Sequence, residues 1–423
     1  MSSEAAELET KVRAMGVDAR RAARALAPRR REDKDRALEA IAVELERAAP
    51  SILAANEADL AAARSRGTRG AMLDRLLLDE RRVAAMAASV REIAALPDPV
   101  GEVVSRTLRP NGLRVSRVRV PLGVIAMIYE SRPNVTVEAS ALTLKAGNAV
   151  ILRGGSDAVR SNAALAEAIG CALDTVGLPR AAVQILPFTD RDAVRVLIHQ
   201  SELVDLAIPR GGEALIRYVT ENARVPVVQH YKGVCHLYLD DGADPALAGR
   251  IAVNAKMQRP GVCNALECLL VDERDAERLL PPVARALLDA GCELRGDERT
   301  RALVPEAKAA ASDDYGREFL DAILAVRVVG GVDGAIAHVS EYGSGHTEAI
   351  LTPSAESAER WRREVDAACV VVNASTRFHD GGELGLGAEI GIATSRLHWR
   401  GPMGLESLTT MKWVVEGEGQ TRR

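Results

Sequence analysis

GVIAMIY at Gly123–Tyr129, NAVILR at Asn148–Arg153, AVQILP at Ala182–Pro187 and LVDLAIP at Leu203–Pro209 are four short apolar runs, and their spacing decides the fold. A fifth run, VPVV, follows at Val225–Val228. SNAALAEAIGCALDTVG (Ser161–Gly177) and TDRDAVRVLIHQ (Thr189–Gln200) carry helical apolar spacing between them. Strands of this length alternating with helices predict a mainly parallel α/β sheet, whose ligands sit beyond the carboxyl ends of the strands. A second α/β unit is expected from about His230, with strands CHLYLD (Cys235–Asp240), ECLLVD (Glu267–Asp272) and AILAVRVV (Ala322–Val329).

On the amino-terminal side, residues from about Glu4 to Leu96 are rich in Ala, Arg, Glu and Leu. Val83, Met86, Val90 and Ile93 recur every three or four positions, the period of a helix with one buried face. Pro97 and Pro99 end this helical opening, and VVSRTLRPNGLRVSRVRVPLG (Val103–Gly123) reads as a hairpin. Asn111-Gly112 between the two alternating runs predicts a type I′ turn. At the other end, LTTMKWVVEGEG (Leu408–Gly419) reads as a strand with no helix after it, expected to pair outside its own domain.

A chain of 423 residues is enough for two or three domains with large cores. The net charge of -4 favours neither nucleic acid nor an anionic membrane as partner. The densest charge run, PRRREDKDR (Pro28–Arg36), is read as a solvated loop and helix start. The first residues are acidic and polar where a secretory signal needs a basic start and an apolar core, and no apolar run is long enough to span a bilayer. With no disulfide-like cysteine spacing, a reducing cytoplasm is the expected location.

Of six cysteines, Cys263 stands apart, in QRPGVCNALE (Gln258–Glu267). Pro260 and Gly261 break regular structure just before it and a helix is expected after it, a setting that favours a thiolate. Burial as a small hydrophobe is the competing reading of the same residues. No metal is expected: there is no CxxC pair, and Cys235 beside His236 is the nearest approach to a ligand cluster. Two glycine turns, RGGS (Arg153–Ser156) and PRGGEALI (Pro209–Ile216), each lie between a strand and a helix, where backbone N–H groups can meet a phosphate. Ordinary strand-to-helix turns use glycine too.

These blocks, with LPDPVGEV at Leu96, VPLGVIAMIYESRPNVTVEASALTLKAGNAVILRGGS at Val120, AIAHVSEYGSGHTEAI at Ala335 and GELGLGAEIGIAT at Gly382, resemble the gamma-glutamyl phosphate reductases of the aldehyde dehydrogenase superfamily. The resemblance runs over nearly the whole chain. It implies an aldehyde-dehydrogenase-like α/β fold with a Rossmann-type cofactor domain (1–99, 124–228 and about 360–398), an α/β catalytic domain (229–359), and a small β oligomerisation element (100–123 with 399–423).

By motif position the resemblance makes Cys263 the nucleophile and Asn134 the side-chain donor of an oxyanion hole, together with the Cys263 N–H. It places Arg153, Gly155, Ser156, Pro209, Arg210, Gly211, Gly212 and Glu383 at the cofactor, with Arg153 suited to the 2′-phosphate of NADPH. Arg132, Asn264, His346, Ser375 and Thr376 are the polar candidates for substrate contact. The implied reaction is NADPH-dependent reduction of L-glutamyl 5-phosphate to L-glutamate 5-semialdehyde through a cysteine thioester, in proline biosynthesis. A homodimer or homotetramer and transient contact with glutamate 5-kinase belong to the same expectation.

One departure bears on mechanism. Hydrolytic aldehyde dehydrogenases carry a glutamate general base in a segment that here reads VVQHYKGVCH (Val227–His236), without a carboxylate. Loss of a water-activating base suits an enzyme whose thioester must survive water. The alternatives are another acylating dehydrogenase, using CoA or a different acyl phosphate, and a non-catalytic scaffold that keeps the fold.

Overall fold

Five helices open the chain, Ser3–Leu26, Arg31–Arg47, Ala49–Ser65, Ala71–Leu76 and Glu80–Ala95. The computed structural model describes residues 3–188, 190–229 and 231–422; Thr189, the start of an expected helix, and His230, the expected domain boundary, lie outside the described residues. Val83, Met86, Val90 and Ile93 are all buried, as their period requires, and Asp79 caps their helix by accepting the Arg82 N–H at 2.7 Å. The charge run at Pro28–Arg36 is less solvated than expected. Lys34 is buried against Asp98 at 2.6 Å, and Asp35 takes the ammonium of the fully buried Lys145. Two carboxylates therefore serve as internal partners for lysines that could not otherwise be buried.

The chain divides into two compact units: residues 1–229, 386–391 and 403–423, and residues 230–385 and 392–402. The first holds strands β1 (Val103–Leu108), β2 (Arg114–Pro121), β3 (Val124–Tyr129), β4 (Ala149–Arg153), β5 (Val183–Ile185) and β6 (Leu206–Arg210). The last four form a parallel sheet in the order β5-β4-β3-β6. The chain winds from β3 through β4 to β5 and returns to the other side of β3, so the sheet reverses direction between β3 and β6. That reversal opens a crevice at the strands' carboxyl ends. β3 is buried along its whole length, the state of a parallel strand covered on both faces. Pro209 sits on the edge strand β6, where its missing N–H breaks no central ladder. VPVV forms only a single bridge, Val227 to Ala207, because Pro226 cannot donate and only its carbonyl joins.

β1 and β2 pair antiparallel, and the C-terminal strand Thr409–Glu416 adds to β2. That strand thus leaves the second unit, to which residues 392–402 belong, and pairs with the hairpin in the first. The hairpin turn differs from type I′: only Gly112 has positive φ, and the Gly112 N–H reaches the Arg109 carbonyl at 2.9 Å. Pro110 fixes φ near −65°, which starts the turn a residue earlier and leaves Gly112 to take the left-handed position beyond it.

The second unit is built on a seven-stranded sheet in the order β10-β9-β11-β8-β7-β12-β13, all parallel, from β7 (Cys235–Leu239), β8 (Leu266–Asp272), β9 (Glu293–Gly296), β10 (Lys308–Ala309), β11 (Ile323–Val329), β12 (Thr347–Leu351) and β13 (Cys369–Val372). β13 pairs with β12 from Thr347↔Cys369 to Ile350↔Val372, which places residues 360–385 in this unit and not, as expected, with the cofactor domain. One sheet face packs Leu237, Leu269, Val271 and Val326 on Leu279, Leu280 and Val283 of the helix Ala276–Asp289. The other packs Tyr238, Leu270 and Ile350 on Trp361. Each such side chain contributes about 1.5–3 kcal/mol on burial, so the strand ends beside the nucleophile loop rest on a rigid base.

Candidate active site

Cys263 lies in the loop between the helix Pro245–Met257 and β8. A helix precedes it and a strand follows, so the expected helix N-terminus at the sulfur is absent; the β-branched and apolar run beginning at Leu266 pairs into the sheet instead. The loop's position comes from its backbone. Gly233 passes so close that a Cβ there would lie 1.9 Å from the Cys263 carbonyl oxygen, and the Cys235 thiol donates to the same oxygen at 3.2 Å. Gly233 stands in the Val227–His236 segment that lacks a carboxylate of its own. A carboxylate reaches it from elsewhere: Glu318 accepts the Gly233 N–H at 2.9 Å.

Among the six cysteines, Cys263 is half-buried on this loop while Cys235, Cys268 and Cys292 are buried. Burial pushes the Cys235 thiol well above its usual range, Cys292 up to about 12, and Cys369 upward. These three are poor thiolates. Cys171 sits on a helix surface and donates to Glu167 at 3.5 Å.

Four expected substrate contacts, Asn264, His346, Ser375 and Thr376, make hydrogen bonds within the fold. Asn264 is buried, with its amide nitrogen bonded to the carbonyls of His379 at 2.9 Å and Arg377 at 3.4 Å. The Thr376 hydroxyl is buried and donates to the Asn264 carbonyl at 2.8 Å. Ser375 caps the 3₁₀ turn Thr376–Phe378 by accepting the Arg377 N–H at 3.3 Å. His346 is fully buried; its Nδ1 meets the Thr347 hydroxyl at 2.7 Å, which in turn meets His379 Nδ1 at 2.7 Å. These side chains fix the nucleophile loop against the 376–379 turn. They do so because short polar side chains bond neighbouring backbone more readily than they reach solvent. The turn also brings Arg377 to the loop, a residue that sequence reasoning passed over because its neighbours Ser375 and Thr376 drew attention first.

In the first unit, Asn134 opens the helix Asn134–Lys145, and its amide nitrogen donates to Glu138 at 3.0 Å. An ionised carboxylate only accepts, so this bond fixes which end of the amide is nitrogen and leaves its second N–H to donate. Arg132 lies in the preceding loop and is exposed. Ser131, between them and β3, takes a positive φ of 29 and donates to Asp157. Arg132, Asn134, Glu138, Arg210 and Glu389 line a cavity of about 50 Å³ with Met127 and Ile390. Glu389 approaches Arg210 at 3.8 Å, whereas Glu383 is exposed and belongs to the second unit's sequence. The carboxylate that the geometry offers beside the first unit's crevice is thus Glu389, six positions beyond the one expected.

The two glycine turns stand at the carboxyl ends of β4 and β6, as the crevice requires. Arg153 ends β4, half-buried; burial pulls its guanidinium below the usual range while the Glu130 carboxylate opposes that. Gly155 is buried with a Cβ position 3.0 Å from the Ser131 nitrogen, and Ser156 is exposed at the start of a short 3₁₀ turn. Pro209 and Arg210 belong to β6, and the turn proper is Gly211-Gly212, followed by the helix Glu213–Asn222. Glu130 fills that turn: it accepts the Gly212 N–H at 2.8 Å, and a Cβ on Gly211 would come 2.6 Å from its carboxylate. An anion already occupies the positive end of the helix, which is the chemistry a cofactor phosphate would use.

One buried cluster has metal-ligand residue types. His236, Cys268 and His338 bring their ligand atoms within 4.8 Å of one another. Burial alone would lower His236, but the Glu348 charge and the hydrogen bonds to Cys268 and Glu348 lift it, while burial raises Glu348 as well, so the two share a proton across their 2.8 Å hydrogen bond. Arg327 donates to His338 Nδ1 at 3.1 Å, which leaves the His338 proton on Nε2, facing Cys268 at 3.6 Å. The His338 ring thus presents an N–H and not a lone pair to the shared space, the wrong polarity for a cation there.

With this geometry described, comparison with known proteins gives a consistent result. The model of the aldehyde dehydrogenase family matches residues 5–315. The chain belongs to the aldehyde dehydrogenase family. Within it, the chain is 63% identical to the gamma-glutamyl phosphate reductase of Sorangium cellulosum (strain So ce56), over 98% of this chain and 99% of that one. It is 57% identical to the gamma-glutamyl phosphate reductase of Anaeromyxobacter sp. (strain K), over 98% of each. The crystal structure of gamma-glutamyl phosphate reductase from Thermotoga maritima superposes with a TM-score of 0.96 at 46% identity, covering 97% of this chain and 100% of that one. Aldehyde dehydrogenases use a nicotinamide cofactor. Among the described residues, no helix is long and apolar enough to cross a membrane.

Proposed function

We propose that this protein reduces L-glutamyl 5-phosphate to L-glutamate 5-semialdehyde with release of phosphate, the second step of proline biosynthesis from glutamate. The observation that carries the reading is Cys263, the cysteine held half-buried on a backbone that Gly233 and Cys235 pin from behind. Its thiolate attacks the γ-carbonyl, the bond to the phosphate oxygen breaks, and a thioester remains on the sulfur. When bound, the nicotinamide supplies the hydride that reduces this thioester. The Cys263 N–H is suited to hold the developing oxyanion, a service worth about 3 kcal/mol for a donor of this kind, and Asn134 in the first unit keeps a second amide N–H suited to the same role. The Val227–His236 segment offers no carboxylate of its own, and Glu318, which approaches it, accepts the Gly233 N–H. The segment that carries the water-activating glutamate of hydrolytic relatives thus supplies no carboxylate to activate water against the thioester.

NADPH is the favoured cofactor. Arg153 offers a planar cation at the end of β4, suited to a 2′-phosphate. Gly155 and Ser156, with Gly211 and Gly212, lie at the turns where the cofactor backbone would pass, and Glu389 beside Arg210 is the carboxylate suited to a ribose hydroxyl. Glu130 must leave the Gly212 N–H for a phosphate to take its place.

The sheet of β1, β2 and the C-terminal strand is the assembly element in this reading. Val103, Val104, Leu108, Trp413 and Val415 are all exposed on it, more apolar surface than a small sheet leaves to water without a partner. A homodimer or homotetramer follows, testable by light scattering with a Trp413→Glu variant. The labile acyl phosphate favours transient handover from glutamate 5-kinase, and failure of an added trap to divert less product than free diffusion predicts would remove that idea. The described cysteines are all free, which suits the cytoplasm.

The test runs the reaction backwards: pyrroline-5-carboxylate, in equilibrium with the semialdehyde, plus phosphate and NADP⁺. Wild type should reduce NADP⁺ in a phosphate-dependent way, and Cys263→Ala should lose about 10⁴-fold or more of kcat with its fold intact. Dependence on CoA in place of phosphate would sink the assignment in favour of a CoA-acylating dehydrogenase, and activity in Cys263→Ala would remove the thioester.

A further inference from the structure

Arg377 is the middle residue of the turn Thr376–Phe378, and its backbone is held from both sides: Ser375 accepts its N–H at 3.3 Å and Asn264 donates to its carbonyl at 3.4 Å. Its side chain is half-buried and its Nε donates to Gln258 at 2.7 Å. Gln258 and Asn264 bracket Cys263 in the nucleophile loop, so backbone and side chain of Arg377 are both fastened to that loop. Among the described residues, no carboxylate comes within ion-pair distance of the guanidinium, and its two terminal amino groups have no hydrogen-bond partner. Several similarly sheltered arginines meet a carboxylate, Arg20 with Asp205, Arg119 with Glu102 and Glu406, Arg295 with Asp314, Arg400 with Asp366, and Arg327 faces His338 and the rings of Tyr315 and Tyr342.

Withdrawing a cation even partly from water without an anion is costly. Burial does pull the Arg377 guanidinium below its usual range, with the negative charges of Asp380 and of Cys263 as thiolate opposing, and Arg259 adding a like charge. The free edge of the guanidinium is a planar pair of donors, the geometry that takes two oxygens of a phosphate at once.

We propose that Arg377 binds the phosphoryl group of the acyl phosphate and the inorganic phosphate it becomes. The inference rests on the reductase reading above. In the forward direction Sγ forms a bond to the acyl carbon while the bond from that carbon to the phosphate oxygen breaks, and the electron pair leaves on that oxygen. The charge that develops there falls opposite Arg377, so the residue assists departure as well as binding. In the reverse direction a phosphate oxygen attacks the thioester carbon and the thiolate leaves. Arg377 holds the attacking phosphate, and the same cation keeps the leaving sulfur ionised. An aldehyde substrate alone makes no use of it.

The test measures phosphate-dependent NADP⁺ reduction for wild type, Arg377→Lys and Arg377→Ala, with inorganic phosphate and pyrroline-5-carboxylate varied separately. Arg377→Ala should raise the KM for phosphate about ten- to a hundredfold, the loss of one charge-assisted partner, with Arg377→Lys between it and wild type. The KM for pyrroline-5-carboxylate should stay within about twofold, as expected for a group that does not touch the amino-acid end. A second readout needs no turnover: phosphate should slow alkylation of Cys263 by iodoacetamide in wild type and not in Arg377→Ala. If Arg377→Ala fails to fold, the lysine variant alone carries both readouts. Unchanged phosphate dependence, or parallel loss toward both substrates, overturns the role of Arg377 while leaving Cys263 in place. Activity surviving in Cys263→Ala would overturn the reductase mechanism itself.

Discussion

The crevice of the first unit and the nucleophile loop of the second manage charge in opposite ways. At the end of β6 the fold supplies its own anion: Glu130 sits on the Gly212 N–H, and Arg210 has Glu389 nearby. At the nucleophile loop the fold supplies a cation and withholds the anion, since Arg377 is anchored through Nε and backbone but, among the described residues, meets no carboxylate. The first arrangement is self-satisfied and must rearrange to admit a phosphate. The second is prepared for one in advance. A ligand at the first site must displace an internal partner and so binds less tightly than its contacts suggest, whereas a ligand at the second relieves a cost already present.

The largest expected effect probes the rigidity on which the second site depends. Gly233→Ala drives a Cβ into the Cys263 carbonyl, which must then move by more than an ångström. Displacement on that scale costs about a hundredfold in kcat. Cofactor titration should be unaltered, and equal kcat in the two proteins would show that the loop is compliant and the preparation unreal. A smaller effect tests the other side of the comparison. Glu130→Ala frees the Gly212 N–H, and NADPH, followed by its fluorescence, should bind about threefold more tightly, the value of one charge at a helix terminus. Weaker binding would make Glu130 a cofactor contact rather than a placeholder, and would erase the contrast.

The smallest effect concerns the polar core under the second sheet. Burial, the His236 charge and Arg327 push His338 down to about 3. An unfolded chain takes up a proton on this imidazole below about pH 6.5 while the native state does not, so the native state loses stability as pH falls from 6.5 toward 3. The loss is at most about 1.4 kcal/mol per pH unit, or about 2 kcal/mol by pH 5. Urea denaturation at pH 7 and pH 5 should show a larger drop for wild type than for His338→Gln. An equal drop would mean that the Arg327 and Cys268 contacts do not hold the ring neutral.

Much of this was legible in order and not in place. The run GVIAMIY announced a buried strand, and Val83, Met86, Val90 and Ile93 announced a helix face, because period and hydrophobicity are local properties. The cysteine was legible too, since Pro260 and Gly261 mark a loop. The internal hydrogen bonds of Asn264, His346, Ser375 and Thr376 were not. Each is a polar residue in a motif, and nothing local distinguishes a side chain that faces a ligand from one that bonds backbone carbonyls across the fold. Glu383 and Glu389 posed the same difficulty six positions apart, resolved only by which of them returns to Arg210. The hairpin turn failed for a different reason: Pro110, read as a neighbour of the Asn-Gly pair, governed the turn through its fixed φ.

By itself the sequence determined the alternation of strands and helices, the loop that carries Cys263, the missing carboxylate in Val227–His236, and, through resemblance along nearly the whole chain, the family to which it belongs. Those follow from residue type and spacing along one dimension. The tertiary structure alone decided that β13 joins the second unit, that Gly233 backs the Cys263 carbonyl, that Glu130 closes its own anion site, and that Arg377 stands at the nucleophile loop without a counter-ion. A charge is paired or unpaired according to what lies within a few ångströms in space, and residues that distant in sequence are brought together only by packing.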